Sequence, residues 1–221
     1  MQRTPEPELM DGQDQALAYA AADFSAGDQA LVDRLQTLFP QGLGASVVDL
    51  GCGPGNISFR LAEQLATSMV LGLDGAAAML DLARVALAKR PHLATRLHFQ
   101  QVVFPDAQLM GGHSAVVSNS LLHHLHDPSV LWQTVLQLGS SNAAVYVKDL
   151  RRPSSADEVE DLRSRYLADA PAVLQHDYVA SLHAAFTPAE VERQLGQAGL
   201  ADQLQVQAVE DRYLEVWGHL L

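Results

Sequence analysis

The segment Val47-Val-Asp-Leu-Gly-Cys-Gly-Pro-Gly-Asn56 limits the folds open to this chain more than any other part of it. The short β-branched run Ser46–Leu50 is stopped by glycines, which predicts a buried strand. The glycines at 51, 53 and 55 then turn the chain tightly into an apolar-periodic helix over Asn56–Ala66. Glycine is needed where backbone takes positive φ or where a ligand lies directly on it. In open parallel sheets, ligands bind beyond the carboxyl ends of the strands, near the point where strand order reverses. Asp74 closes the next strand, Met69–Asp74, where a carboxylate accepts both hydroxyls of a ribose. A structural glycine turn with two incidental aspartates is the plain alternative. The strand before the turn, the helix after it and the placement of the second acid all weigh against that alternative.

Strands and helices alternate through the next hundred residues, which predicts βαβ units and a parallel sheet. Helices are expected over Ala16–Phe39, Ala76–Arg90 and from Asp127-Pro128 through Leu138. Further strands are expected at Leu97–Phe104, Ser114–Ser118 and Ala143–Asp149. The alternation then breaks, because Ser154–Ala168 and Pro171–Ala185 read as two helices with no strand between them. Thr187-Pro-Ala-Glu190 is a capping box that opens a helix running to Gly199. Leu204–Val209 and Tyr213–Trp217 close the chain as strands whose link is too short for a crossover, so the pair is antiparallel. The fold class is α/β, one doubly wound domain over residues 1–221. Residues 1–15 are a polar tail that frays, and residues 151–186 are a helical lid.

Net charge is −12, from 26 acids against 14 bases, and no basic face is visible. Nucleic-acid binding is dominated by cations on phosphates, so this balance argues against such a partner. Cys52 is the lone thiol, which rules out an internal disulfide and a cysteine zinc site and suits a reducing cytoplasm. Met1–Asp11 lacks the basic and apolar regions of a signal peptide. No apolar run reaches the ~20 residues of a membrane span. The expected partner is a small molecule, with no membrane, and a homodimer is open.

The D-L-G-C-G-P-G run, followed by G-L-D-x-x-x-x-M-L, resembles motifs I and II of the class I S-adenosylmethionine-dependent methyltransferases, in particular their small-molecule group. Ser118-Asn-Ser-Leu-Leu-His-His-Leu125, with Asp127-Pro128 behind it, resembles that group's segment after the fourth strand. The resemblance covers about Tyr19 to Asp149. It implies a mostly parallel seven-stranded Rossmann-like sheet with an antiparallel C-terminal strand, S-adenosyl-L-methionine as cofactor, and a small-molecule methyl acceptor.

Carried over residue by residue, it sets Gly51, Cys52, Gly53 and Gly55 beneath the methionine and ribose portions of the cofactor, with Asp49 orienting that loop or reaching the amino group. Asp74 and Gly75 take the ribose end, and Met79 stacks near adenine. Ser118 and Asn119 line the methionine end, and Tyr19 closes over the bound cofactor. The chain departs from the family after the third strand. Where an acid usually meets the adenine amine it has Gln101, Val102 and Val103, which leaves main chain near Val102 and Val103, or Asp106, to do this.

His123 and His124 are candidate general bases, against the plainer reading of packing at a helix start; the resemblance favours His124. No metal is expected, because consecutive positions such as His123, His124 and His126 cannot all face one ion. Arg152, after the fifth strand, suits an anionic substrate or a solvated loop equally. Tyr166 and Asp177 in the lid are further substrate candidates. Two rivals remain. One is a cofactor-binding module without catalysis. The other is a nicotinamide oxidoreductase, whose G-x-G-x-x-G fingerprint would need glycine where Asn56 stands.

Overall fold

Val47 and Val48 are neighbours in sequence and lie in different hydrophobic cores. Successive strand side chains point to opposite faces, so a strand covered on both sides must be apolar at every position rather than at alternate ones. That is why Val47, Val48 and Leu50 of Ser46–Leu50 (β1) are apolar at successive positions, broken only by Asp49, and why its last four residues are buried. A computed structural model describes residues 1–10 and 12–221 of the protein. Asp11, in the expected tail, lies outside the described residues.

β1 pairs in parallel with Met69–Asp74 (β2), Val47 opposite Val70, and with His113–Asn119 (β4), Val48 opposite Val116. Leu97–Gln101 (β3) extends the sheet beyond β2, and Gly139–Leu150 (β5) extends it beyond β4. Leu204–Val209 (β6) and Tyr213–His219 (β7) complete it, β7 running antiparallel to both of its neighbours. The seven strands lie in the order β3-β2-β1-β4-β5-β7-β6. The chain leaves β1 in one direction and returns to the other side at β4, so the β1/β4 boundary is the switch point where such sheets open a ligand crevice.

Helices cover both faces. Ser25–Leu38 (α2) and Asn56–Gln64 (α3) send Leu31, Leu35, Ile57 and Leu61 into the core holding Val47, Val117 and Tyr146. Ser129–Leu138 (α5) and Pro188–Ala198 (α8) meet Val48, Val145 and Val147 on the other face, where the Trp132 indole donates to Gln194 Oε1 at 3.0 Å. Thr187 and Glu190 make the reciprocal capping bonds expected of their spacing. Ala77–Ala88 (α4) follows β2. Ala156–Leu167 (α6) and Ala172–Ala184 (α7) occupy the lid segment.

The expected helix Ala16–Phe39 is two helices, Gln13–Ala21 (α1) and α2. Ala22 is extended at ψ 142°, and the Asp23 carboxylate accepts the Ser25 N–H at 2.9 Å, an aspartate turn that replaces helical bonding. The third strand stops at Gln101 rather than Phe104. The first ten residues, expected as part of a frayed tail, run across the carboxyl edge of the sheet, the Thr4 N–H donating to His183 O at 3.0 Å. Among the described residues no helix is long and apolar enough to cross a membrane.

Candidate active site

The glycine loop is tied to β2 from its first residue, since the Gly51 and Cys52 amides both donate to Leu73 O, at 2.8 and 3.0 Å. Gly53 has φ +53°, and a Cβ built on it would meet nothing within 4 Å, so the backbone there is bare toward the cavity. Gly55 has φ +89°, and its Cβ would collide with the Phe99 and Phe59 rings at 2.8 and 2.9 Å. Gly55 therefore shapes the loop from below and does not line the cavity. Asp74 is clasped from two sides: the Gly53 N–H donates to Oδ2 at 2.7 Å and the Ala76 N–H to Oδ1 at 2.8 Å. Asp49 is 1% exposed and accepts the Ser58 hydroxyl at 2.6 Å; burial pushes its carboxyl up to about 7. Burial also raises the Cys52 thiol.

A single cavity of about 530 Å³ gathers Gly51, Cys52, Gly53, Asp49, Asp74, Gly75, Met79, Val102, Val103 and Asn119 with Tyr19 from α1. Tyr19 stacks against Phe24 with ring centroids 4.8 Å apart, and Met79 packs with Ala16 and Ala76 beneath it. Val102 is tied to β2 through its amide, which donates to Asp74 O at 2.8 Å. Asp106 does not line this cavity; its carboxylate accepts the Gln108 N–H. Ser118 also stays out of it, fully buried with its hydroxyl donating to Leu50 O at 3.0 Å across the sheet.

The two histidines that line the cavity differ sharply. His123 sits in the turn after β4, its Nδ1 2.5 Å from Asp149 Oδ1 at the end of β5. A carboxylate only accepts, so Nδ1 carries the proton and Nε2 offers a lone pair. Nε2 faces Glu6 Oε1 at 3.5 Å. Burial opposes charge on this ring, but Asp149 and then Glu6 outweigh it and the pKa is raised. Burial and the neighbouring His123 push His124 down to about 3. Its Nδ1 lies 3.4 Å from both Glu6 Oε1 and Pro7 O. His126 is exposed and turns to the Glu6 carbonyl at 2.8 Å. Glu6, His123 and His124 each offer one ligand atom, all within 4.8 Å of one another. A distant acid thus completes a grouping that the adjacent histidines could not form.

The lid supplies Tyr166, whose hydroxyl donates to Asp211 at 2.8 Å, and Asp177, which accepts from Gln15 at 2.8 Å. Both line the cavity. Arg152 does not. Its guanidinium donates to Met1 O, Ala185 O and Glu190 Oε1, the last at 2.6 Å, so it fastens the N-terminus and α8 to the end of β5. A planar five-donor fork that already has three partners has little left for a substrate.

Sequence reasoning missed Glu6, Lys148, Asp149, Arg212 and Tyr213. Lys148 and Asp149 were detectable, because charges that end an apolar strand stand where such sheets bind ligands. Glu6, in a polar segment without periodicity, gave no signal.

Residues 47–138 match the family described as a methyltransferase domain. Among curated proteins the chain is similar to the trans-aconitate 2-methyltransferase of Deinococcus radiodurans, 39% identical over 42% of this chain and 33% of that protein. It is also similar to the ubiquinone biosynthesis O-methyltransferase of Xanthomonas axonopodis pv. citri, 27% identical over 79% of this chain and 68% of that protein. The chain thus matches about a third of the length of the first relative, a stretch of 93 residues. Among solved structures it resembles the plantazolicin methyltransferase BamL bound to a substrate analogue and SAH, with TM-score 0.72, 14% identity, and coverage of 94% of this chain and 91% of that one. A SAM-dependent methyltransferase from Aquifex aeolicus superposes with TM-score 0.65 at 14% identity, covering 93% and 98%. At these identities the likeness is one of fold.

Proposed function

We propose that the chain is a class I S-adenosylmethionine-dependent methyltransferase that transfers a methyl group to a small-molecule acceptor held in the cavity over β1, β4 and β5. The observation that carries this reading is the joining of two devices in one cavity: a bare glycine backbone beside an anchored carboxylate, and a histidine fixed by a buried aspartate. The relatives named for trans-aconitate and for ubiquinone biosynthesis support an acceptor of modest size.

The residues fit the cofactor. The space over Gly53 admits a ligand against main chain. The Gly53 and Ala76 amides fix the Asp74 carboxylate at the end of β2, where it would accept ribose hydroxyls. Met79, Val102 and Val103 offer an apolar slot for the base, and Asn119, with Asp49 below it, would meet the amino-acid end. When bound, S-adenosylmethionine supplies the methyl group and its intrinsic reactivity. The protein's part is alignment, exclusion of water and, for a proton-bearing acceptor, a base.

That base is His123. Asp149 holds its tautomer and would stabilise the imidazolium, so Nε2 would take the proton that the acceptor loses on methylation. Glu6 Oε1 faces that nitrogen at 3.5 Å, so the acceptor's proton-bearing atom would have to take its place. His124, depressed to about 3, holds a proton too weakly for this task and serves as wall.

The reading is tested by incubating the protein and an Asp74→Ala variant with methyl-labelled S-adenosylmethionine and a small-molecule extract. Label should enter one acceptor with the unmutated protein only. Tight S-adenosylhomocysteine binding with no labelled product from any extract would instead make the chain a cofactor-binding module.

A further inference from the structure

Among the described residues, two cations face the cavity with no carboxylate in ion-pair contact. Lys148 is 9% exposed, and its Nζ rests 4.2 Å above the Tyr213 ring. The Arg212 guanidinium lies 4.8 Å from the same ring centroid and 3.4 Å from that of Tyr166. Its one side-chain hydrogen bond goes to the Tyr178 hydroxyl at 3.5 Å, and its buried Nε has no partner. Among the described residues, no carboxylate lies within ion-pair distance of either head, whereas Arg34, Arg152, Arg163 and Arg165 each have one.

The acids nearest them stand off or are engaged elsewhere, among them Asp28, which is buried, lines the same cavity and takes a side-chain hydrogen bond from Asn56. Glu215 stands opposite Lys148 across β5 and β7, yet it receives Arg34, the Tyr146 hydroxyl and Gln207. Asp211, next to Arg212 in the chain, receives Arg165 and the Tyr166 hydroxyl. Glu210 lines the cavity but is exposed and out of ion-pair range. In a chain of 26 acids and 14 bases, two sheltered cations without a counter-ion are a costly arrangement unless a ligand completes them. Stacking on tyrosines holds the arginine fork in one plane, ready for a planar two-oxygen anion.

We propose that Lys148 and Arg212, gathered around Tyr213, form the subsite that takes a carboxylate of the methyl acceptor. The inference rests on the methyltransferase reading for the word acceptor, though not for the anion. Lys148 is on β5 and Arg212 on the β6–β7 turn, while Asp74 ends β2, three strands from β5 in the sheet. Strands lie about 4.8 Å apart, so the subsite is roughly 14 Å from the ribose anchor along the sheet. Lys148 and His123 line the same cavity from neighbouring strand ends, so a carboxylate held at Lys148 leaves the rest of the acceptor within that cavity to meet His123.

The test is calorimetric titration of the full chain saturated with S-adenosylhomocysteine, using propane-1,2,3-tricarboxylate, fumarate and acetate against their amides. At least one acid should bind tenfold or more tighter than its amide. Lys148→Met and Arg212→Gln should each weaken that acid by about tenfold or more, the loss of one charge-assisted contact, with S-adenosylhomocysteine affinity unchanged. Acids that bind no better than amides, or that bind both variants undiminished, would overturn the subsite. Loss of S-adenosylhomocysteine affinity in Lys148→Met, with 5′-methylthioadenosine unaffected, would assign the anion to the cofactor's own carboxylate and also overturn it. Should S-adenosylhomocysteine fail to bind the unmutated protein, the cofactor reading falls, and the same titration of the unliganded chain still decides the subsite.

Discussion

Glu6 Oε1 lies 3.5 Å from Nε2 of His123, on the nitrogen opposite the one that Asp149 holds. The histidine is thus flanked by two carboxylates, one from the end of β5 and one from the extreme N-terminal segment. Burial raises the Glu6 pKa, and its Oε1 has no hydrogen bond of its own. The segment is pinned there by Arg3, which donates to the carbonyls of His123 and Leu125 at 3.0 Å and stacks on Phe186.

If His123 is the base, His123→Ala should lower turnover by about 10²–10⁴-fold with cofactor affinity retained, and His124→Ala should do far less. Activity requires neutral Nε2, so the rate should climb with pH through the His123 pKa. Asp149 and Glu6 raise that pKa against burial and Arg3, so the limb belongs above the ordinary histidine value of about 6.5. Glu6→Gln should shift the limb downward. A limb unmoved in Glu6→Gln, or equal losses in both histidine variants, would remove His123 from the role.

Cofactor affinity should depend on Asp74. S-adenosylhomocysteine at about 100 times its Kd should stabilise the protein by roughly 2.7 kcal/mol, while NAD and NADP give no shift. Asp74→Ala should cost on the order of 1.5–3 kcal/mol of that affinity, read by calorimetry. Unchanged affinity would reduce Asp74 to a clasp for the glycine loop.

Asp49 makes stability fall with pH. Its folded pKa of about 7 lies above the ordinary 3.8, so the folded state binds the extra proton between those values. Its contribution is complete below about pH 4 and is lost as pH rises through 7. With about 1.4 kcal/mol per pKa unit, the loss reaches up to about 4 kcal/mol. Asp49→Asn should flatten the pH dependence of the denaturation midpoint between about pH 4 and 7; a variant that keeps the full slope would assign it to another group.

Arg152 should prove structural. Arg152→Ala strips the Ala185 carbonyl and the Glu190 carboxylate of a buried donor, which costs about 1–3 kcal/mol. Urea denaturation should show that loss while the acceptor's KM stays level. A raised KM at undiminished stability would return Arg152 to the substrate.

The sequence alone determined whatever short-range pattern encodes. The β-branched run Ser46–Leu50, the glycine turn, the capping box at Thr187 and the short β6–β7 link each specify their local geometry within a few residues. Strung together, they leave little choice beyond a parallel sheet with an antiparallel end, and the same local logic picked out Asp74 at a strand's carboxyl edge. Tertiary structure decided everything that depends on two distant segments meeting. Glu6 carries no periodicity, so nothing local announces that it caps His123. Arg152 and Arg212 both follow or precede a strand and look alike in sequence; one finds Glu190 and is used up, the other finds three tyrosines and stays open to the cavity. His123 and His124 are likewise adjacent and chemically identical. Asp149 on the neighbouring strand tells them apart, because the pKa of a buried ring follows the charges that the fold packs around it.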